Sequence, residues 1–115
     1  MTNLEIAIKA IEHEINKRKR SIDTFIIPVP TTNEEVIAIF KKGIRNKDIN
    51  SLNNRNLEIA FKRYGLNGYV KKTYIEMATE YQLTPSRLYQ IVRDVLKQSI
   101  HITRYYLNNP DKVPN

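Results

Sequence analysis

Apolar residues recur every three to four positions along most of this chain, which is the period of an amphipathic helix. Leu4, Ile8, Ile11 and Ile15 hold that spacing, with Ala7 on the same face, so residues 3 to 20 are predicted to begin the fold as a helix. It closes in the basic run "KRKR" at 17 to 20, and positive charge complements the negative end of a helix dipole. The run reads either as a solvated helix end or as a phosphate-binding patch. The period breaks at "TFIIPVPTT", residues 24 to 32. Pro28 and Pro30 each push the preceding residue into extended backbone. So apolar a stretch is expected as a buried strap over the core; if exposed, it would be a docking segment.

Thr32 followed by Glu35 forms a capping box, which starts a second helix near residue 33. Its apolar face is Val36, Ile37, Ile39 and Phe40, and Gly43 with the polar "RNKDINS" ends it. Ser51 or Asn53 can cap a third helix carrying Leu57, Ala60, Phe61 and Tyr64. "YGLNG" at 64 to 68 stops that helix, with Gly65 suited to the left-handed position after it. Thr73 can cap a short helix through "YIEMATEY". Thr84 can cap a longer one, with Pro85 at the first helical position, where its missing N–H costs nothing. That helix is expected to reach about Tyr106, leaving "NNPDKVPN" as a frayed tail. No segment reads as a strand and no repeat is visible. The predicted fold class is all-α: residues 1–30 as an N-terminal helix and extended linker, 31–108 as a helical domain, and 109–115 as a flexible tail.

Composition narrows the function classes. At 115 residues the chain suits one domain with one core, and 41% apolar against 27% charged residues suits a soluble globular protein. The longest apolar runs fall far short of the roughly 20 residues a bilayer requires, so no membrane span is expected. The N-terminal "MTNLEIAIKAIEHEI" has early acidic residues and does not read as a signal peptide. Absence of cysteine excludes disulfides, thiolate zinc sites and Cys nucleophiles, and fits a cytoplasmic location. The two histidines, His13 and His101, lie far apart in sequence, and adjacent Glu12, His13 and Glu14 splay around a helix, so neither a metal nor any other cofactor is expected. With no Gly-rich phosphate loop and no nucleophile elbow, an enzyme is not expected either. The formal charge of +7 points instead to polyanionic partners.

The helix pair at 73 to 97 offers such a partner a surface. Leu88, Ile91, Val92, Val95 and Leu96 form one stripe that must face the core, leaving Ser86, Arg87, Tyr89, Gln90, Arg93 and Lys97 on the other side with Asp94 as the one acidic residue. A small residue, Ala78, sits where the first helix of a DNA-reading pair must approach the second, and Met77, Tyr81, Leu83, Leu88 and Ile91 fall at core positions. Gln82 stands in the turn where glycine is common.

Read with the preceding helix, this stretch resembles region 4 of the bacterial sigma-70 family of RNA polymerase sigma factors. The resemblance rests on "RNLEIAFKRYGL" at 55 to 66 (Arg55, Glu58, Ile59 and the "RYGL" ending), a six-residue loop, and then Glu76, Ala78, Tyr81, Leu83, Thr84, Arg87, Leu88, Gln90 and Ile91 in register. It covers residues 52 to 107, and "LKQSIHITRYYL" is similar to the family's C-terminal end. The resemblance implies a stand-alone or split-sigma-like transcription factor. Such a protein would bind upstream promoter DNA (a minus-35-like element) and the β-flap of RNA polymerase, in the cytoplasm on the nucleoid. By position, Arg55, Arg63 and Thr73 would hold phosphates, Gln90 would reach a base edge, and Arg87 would lie against phosphate or base. Ser86, Tyr89 and Arg93 complete the candidate DNA-binding face. Arg55 and Arg63 also have a plainer reading, as ion-pair partners of Glu58 or Glu76.

The chain departs from the family where Pro85, Ser86 and Tyr89 replace charged residues that read or brace bases. Nothing in residues 1 to 50 resembles the aromatic-rich region 2 that melts promoters, so a region 2-like partner is implied. Two other readings stay open: a protein-only polymerase or sigma adaptor, and a dimeric helix-turn-helix repressor paired through residues 3 to 16.

Overall fold

Four of the five described α-helices begin where a threonine hydroxyl accepts one of the N–H groups that the first turn leaves unpaired. The computed structural model describes residues 2–18, 26–42 and 51–112, the last stretch with side chains from Asn54 onward. It is all-α: α1 (Asn3–Lys17), α2 (Asn33–Lys42), α3 (Ser51–Tyr64), α4 (Tyr74–Tyr81) and α5 (Pro85–Asn108), then a 3-10 turn at Pro110–Lys112. Thr2, Thr73 and Thr84 each accept from the backbone N–H three residues on. Thr32 does the same for Glu35 at 3.2 Å, while the Glu35 carboxylate accepts from the backbone of Thr31 rather than Thr32. The Gly43 and "RNKDINS" stop, the choice of Ser51 or Asn53 as a cap, and Lys19 and Arg20 lie outside what is described.

The helix ends are equally local. Gly65 has φ +65, and around it Leu66 N–H donates to Phe61 O at 2.9 Å and Gly65 N–H to Lys62 O at 3.4 Å. This is the paired Schellman closure. A Cβ on Gly65 would also come within 2.5 Å of the Asn3 side chain on α1. After α4, Gln82 adopts the same left-handed geometry (φ 55, ψ 43), and Leu83 N–H donates to Ala78 O at 3.2 Å. The turn the sequence marks by a missing glycine therefore keeps the glycine conformation without the glycine.

α5 is the central element: α1, α2, α3 and α4 all pack against it. Leu88, Ile91, Val92 and Leu96 are buried as the stripe predicts, with Val95 partly so, and burial continues through Ser99, Ile100, Ile102, Thr103 and Arg104. Ser99 Oγ lies 2.7 Å from Val95 O and 3.2 Å from Phe40 O, so its single proton serves either its own helix or the buried Phe40 carbonyl near the end of α2. Val36, Ile39 and Phe40 of α2 meet Ile59, Ala60, Phe61 and Tyr64 of α3 in the same core, with the Phe40 and Phe61 rings stacked at 5.8 Å.

Residues on both sides of position 30 share one core: Ala7, Ile11, Ile15 and Ile27 join the cluster that contains Leu88 and Phe40. The apolar side of α1 is thus turned inward. The strap is half buried: Ile27 and Pro30 are covered, whereas Ile26 is 79% and Val29 40% exposed. The tail from residue 109 begins in order: Asn109 Nδ2 donates to Tyr105 O at 2.9 Å, and an exposed 3-10 turn follows at Pro110–Lys112.

Gly65 and Gln82, both left-handed, predict substitutions of opposite sign. Gln82→Gly is expected to stabilise the protein by up to about 1 kcal/mol, and Gly65→Ala to destabilise it by about 1–2 kcal/mol. Urea denaturation of both variants measures this.

Candidate nucleic-acid interface

α5 offers its first turns to solvent because the opposite side is core. Ser86, Arg87, Tyr89, Gln90 and Arg93 are all exposed, while Leu88, Ile91 and Val92 between them are buried. Among the described residues, no side-chain hydrogen bond or ion pair occupies Ser86, Arg87, Gln90 or Arg93; Arg87 uses only its backbone N–H, in the Thr84 cap. The face carries cations and hydrogen-bonding groups, and its acidic neighbour Asp94 is likewise exposed.

Tyrosines link this face to the helices beneath it. The Tyr89 ring meets Tyr74 edge to face, centroids 5.9 Å apart, and the Arg63 guanidinium lies over Tyr74 at 4.7 Å and near Tyr64 at 5.9 Å. α3, α4 and α5 are thereby joined through one aromatic pair and one cation–π contact, each worth roughly 0.5–1.5 kcal/mol. Burial pushes the Tyr64 hydroxyl up to about 12, so it stays a proton donor at neutral pH. Arg63 reaches the site through a ring, and its pairing with Glu58 or Glu76 does not occur. Arg55 instead bonds its neighbour Asn56 Oδ1 at 3.1 Å, and on α3 it lies eight residues, about 12 Å, before Arg63. The structure does not bring Arg55 to the tyrosine cluster. Thr73 is exposed and caps α4 in a complete box with Glu76, its oxygen accepting from Glu76 N–H at 3.2 Å. The Thr73 backbone N–H and hydroxyl hold the Glu76 carboxyl below the usual carboxylate range.

Glu58 and Tyr81 are singled out in the sequence, but the residue that ties them into a network fixing α4 against α3 is not. Lys62 is the hub, its side chain only 13% exposed. Its ammonium lies 2.9 Å from the Glu58 carboxylate, bonds the Glu80 carboxylate, and sits 5.0 Å from the Tyr81 ring centroid. Tyr81 donates its hydroxyl to Glu58, and Lys72 reaches Glu80 at 2.7 Å. Burial pulls the Lys62 pKa down, but Glu80, Tyr81 and Glu58 outweigh it and hold the ammonium above the ordinary lysine value. The Tyr81 bond, then Lys62, lowers Glu58; Lys62 and Lys72 lower Glu80. The Tyr81 hydroxyl is raised to about 12, by burial first and its bond to Glu58 second. The spacing of Glu58 and Lys62 is an i,i+4 pair legible in the sequence. The reach of Lys62 to Glu80, eighteen residues on, is not.

A cleft of about 260 Å³ opens beside the exposed side of α5, between α1 and α5. Its lining includes His13, Glu14 and Lys17 of α1, Tyr64, Tyr74, and Tyr89 and Arg93 of α5. Among the described residues, no group of His, Asp and Glu side chains could hold a metal ion, and no helix is long and apolar enough to cross a membrane.

Removing the hub tests this bracing. Lys62→Ala is expected to lower stability by about 2 kcal/mol, because two carboxylates and a tyrosine lose a shared charged donor. Glu58 and Glu80 are held below their usual 4.5, so the stability they add is present above that pH and is lost as pH falls through their lower folded-state values. Urea midpoints from about pH 7 down to about pH 3 should fall in the unsubstituted protein and fall less steeply in Lys62→Ala. No family model, no curated protein and no solved structure matches the chain.

Proposed function

We propose that this protein is a sigma region 4-like transcription factor. It places the first turns of α5 in the major groove of upstream promoter DNA, holds the β-flap of RNA polymerase, and acts with a partner that melts the promoter. The observation that carries the reading is the exposed side of α5. There Arg87, Gln90 and Arg93 stand in solvent without protein partners among the described residues, on a helix whose other side is core. Side chains so placed can meet base edges without giving up an internal bond. The preceding short helix and left-handed turn suit a helix-turn-helix, in which the second helix enters the groove and the first crosses the backbone. The net charge of +7 supports attraction to phosphates. The sequence resemblance supplies the polymerase and the promoter element, and the protein needs no catalysis of its own in this role.

Tyr89 favours a second reading. It stands where the family carries a base-reading Arg, and its ring is engaged with Tyr74. A protein-only adaptor that keeps the polymerase contact and no longer reads sequence fits that substitution.

Capture from the native cells with a tagged chain should retain RNA polymerase subunits, together with any partner that supplies melting. Recovery of DNA without polymerase would sink the sigma-type reading. In selection from random duplexes, Gln90→Ala is expected to lose discrimination at one base position, worth about 1–3 kcal/mol, with the other positions unchanged. Uniform weakening at every site would remove Gln90 from the base readers. Selection of no sequence by the unsubstituted protein, with polymerase still captured, would establish the adaptor.

A further inference from the structure

The cleft between α1 and α5 sets residues of α1 beside two residues of the candidate DNA-binding face, Tyr89 and Arg93. Lys17 and His13 line it from α1 and Arg93 from α5, with Tyr64, Tyr74 and Tyr89 completing the polar part of the lining. Glu14 is the one carboxylate in the lining, and it is already committed: Arg18 donates to it at 2.9 Å, and its side chain is 8% exposed. What remains facing the opening is two permanent cations, an imidazole and hydroxyl donors. Lysine, arginine and tyrosine are the side chains that position a nucleic-acid strand by its phosphates. At about 260 Å³ the cleft is below the usual ~300–1,000 Å³ range of enclosed small-molecule pockets, and it is large enough to admit a single phosphate group. Two of its residues, Tyr89 and Arg93, belong to the exposed side of α5, so a strand lying along α5 would pass its mouth.

We infer that this cleft is a phosphate-binding site. Lys17 of α1 and Arg93 of α5 grip one phosphate from opposite walls, so that α1 extends the DNA track beyond α5. This rests on the nucleic-acid reading above for its source of phosphate, a DNA strand; a soluble phosphate compound is the other source with the same chemistry. α1 then has a role besides core packing: it supplies the second wall.

The test is a titration of the isotope-labelled full chain, followed by amide NMR, first with duplex DNA of random sequence and then with inorganic phosphate. Affinity against salt is measured in parallel for the unsubstituted protein, Lys17→Ala and Glu14→Gln. Lys17 lies exposed in the last turn of α1, so its truncation leaves the core intact. The expected result is that DNA shifts the amides of His13 and Lys17 together with those of Arg87 and Gln90. Lys17→Ala should bind DNA several-fold more weakly, with the salt slope reduced by about 0.9, the value of one phosphate contact. Glu14→Gln should bind more tightly, a gain that misfolding does not produce. Shifts confined to Arg87 and Gln90, with an unchanged slope in Lys17→Ala, would overturn the cleft and leave the proposed function standing. Shifts at His13 and Arg93 with inorganic phosphate, but none with DNA, would keep the site, assign it to a soluble phosphate compound and overturn the DNA reading. No shift with either would overturn both.

Discussion

Leu88, Ile91, Val92, Leu96 and Ile100 must leave water together, and they lie on one 24-residue helix. Each such side chain contributes roughly 1.5–3 kcal/mol when fully buried, so covering this stripe outweighs any single polar contact in the molecule. Four helices supply the cover, and each of them touches α5. The same requirement sets the outward side. Once that stripe is turned in, Ser86, Arg87, Gln90 and Arg93 are left on the solvent side. The candidate interface is therefore the complement of the core and needs no separate device to expose it.

Holding that interface still is a different matter, and polar contacts do it. α4 is eight residues long, too short to persist alone, since isolated helices below about 12–15 residues are marginal in water. It buries Met77 fully and Ala78 and Tyr81 partly. Lys62 then ties Glu58 on α3 to Glu80 on α4, with Tyr81 closing the circuit onto Glu58. On the other flank, Arg63 over Tyr74 and Tyr74 against Tyr89 run from α3 through α4 to the exposed side of α5. Tyr89 is thus positioned by a neighbour as well as by its own helix. That matters for whatever it meets, because an aromatic ring held in one orientation loses less entropy on contact.

α1 illustrates how one element can serve two ends. Ala7, Ile11 and Ile15 join the common core, while the adjoining face brings His13, Glu14 and Lys17 to the cleft beside Arg93. Helical geometry allows this because residues three and four apart share a face, so Ala7, Ile11 and Ile15 form one row and His13 and Lys17 another. Asn3, at the other end of α1, lies so close to Gly65 that a side chain there would collide with it. The glycine that ends α3 therefore also admits the start of α1.

Caps, stops and stripes were legible in the chain because their physics is local. Thr32, Thr73 and Thr84 accept from a backbone N–H three residues away. Gly65 takes the left-handed geometry that any L side chain resists, and a 3.6-residue period decides which side of α5 is apolar. The exposure of Ser86, Arg87, Gln90 and Arg93 follows from that period as well. Other features depended on which helices meet, and no local pattern encodes that. The entry of α1 into the core of the later helices, the half-covered strap, the capture of Arg63 by Tyr74, and the join from Lys62 to Glu80 all require segments distant in sequence to arrive at one place. So does the cleft that sets Lys17 beside Arg93. Sequence alone determined an all-α chain with a basic, solvent-facing stretch on its last helix. Tertiary structure decided what stands behind and beside that stretch, because burial of the shared apolar stripe selects helix neighbours by shape and area rather than by any signal within one segment.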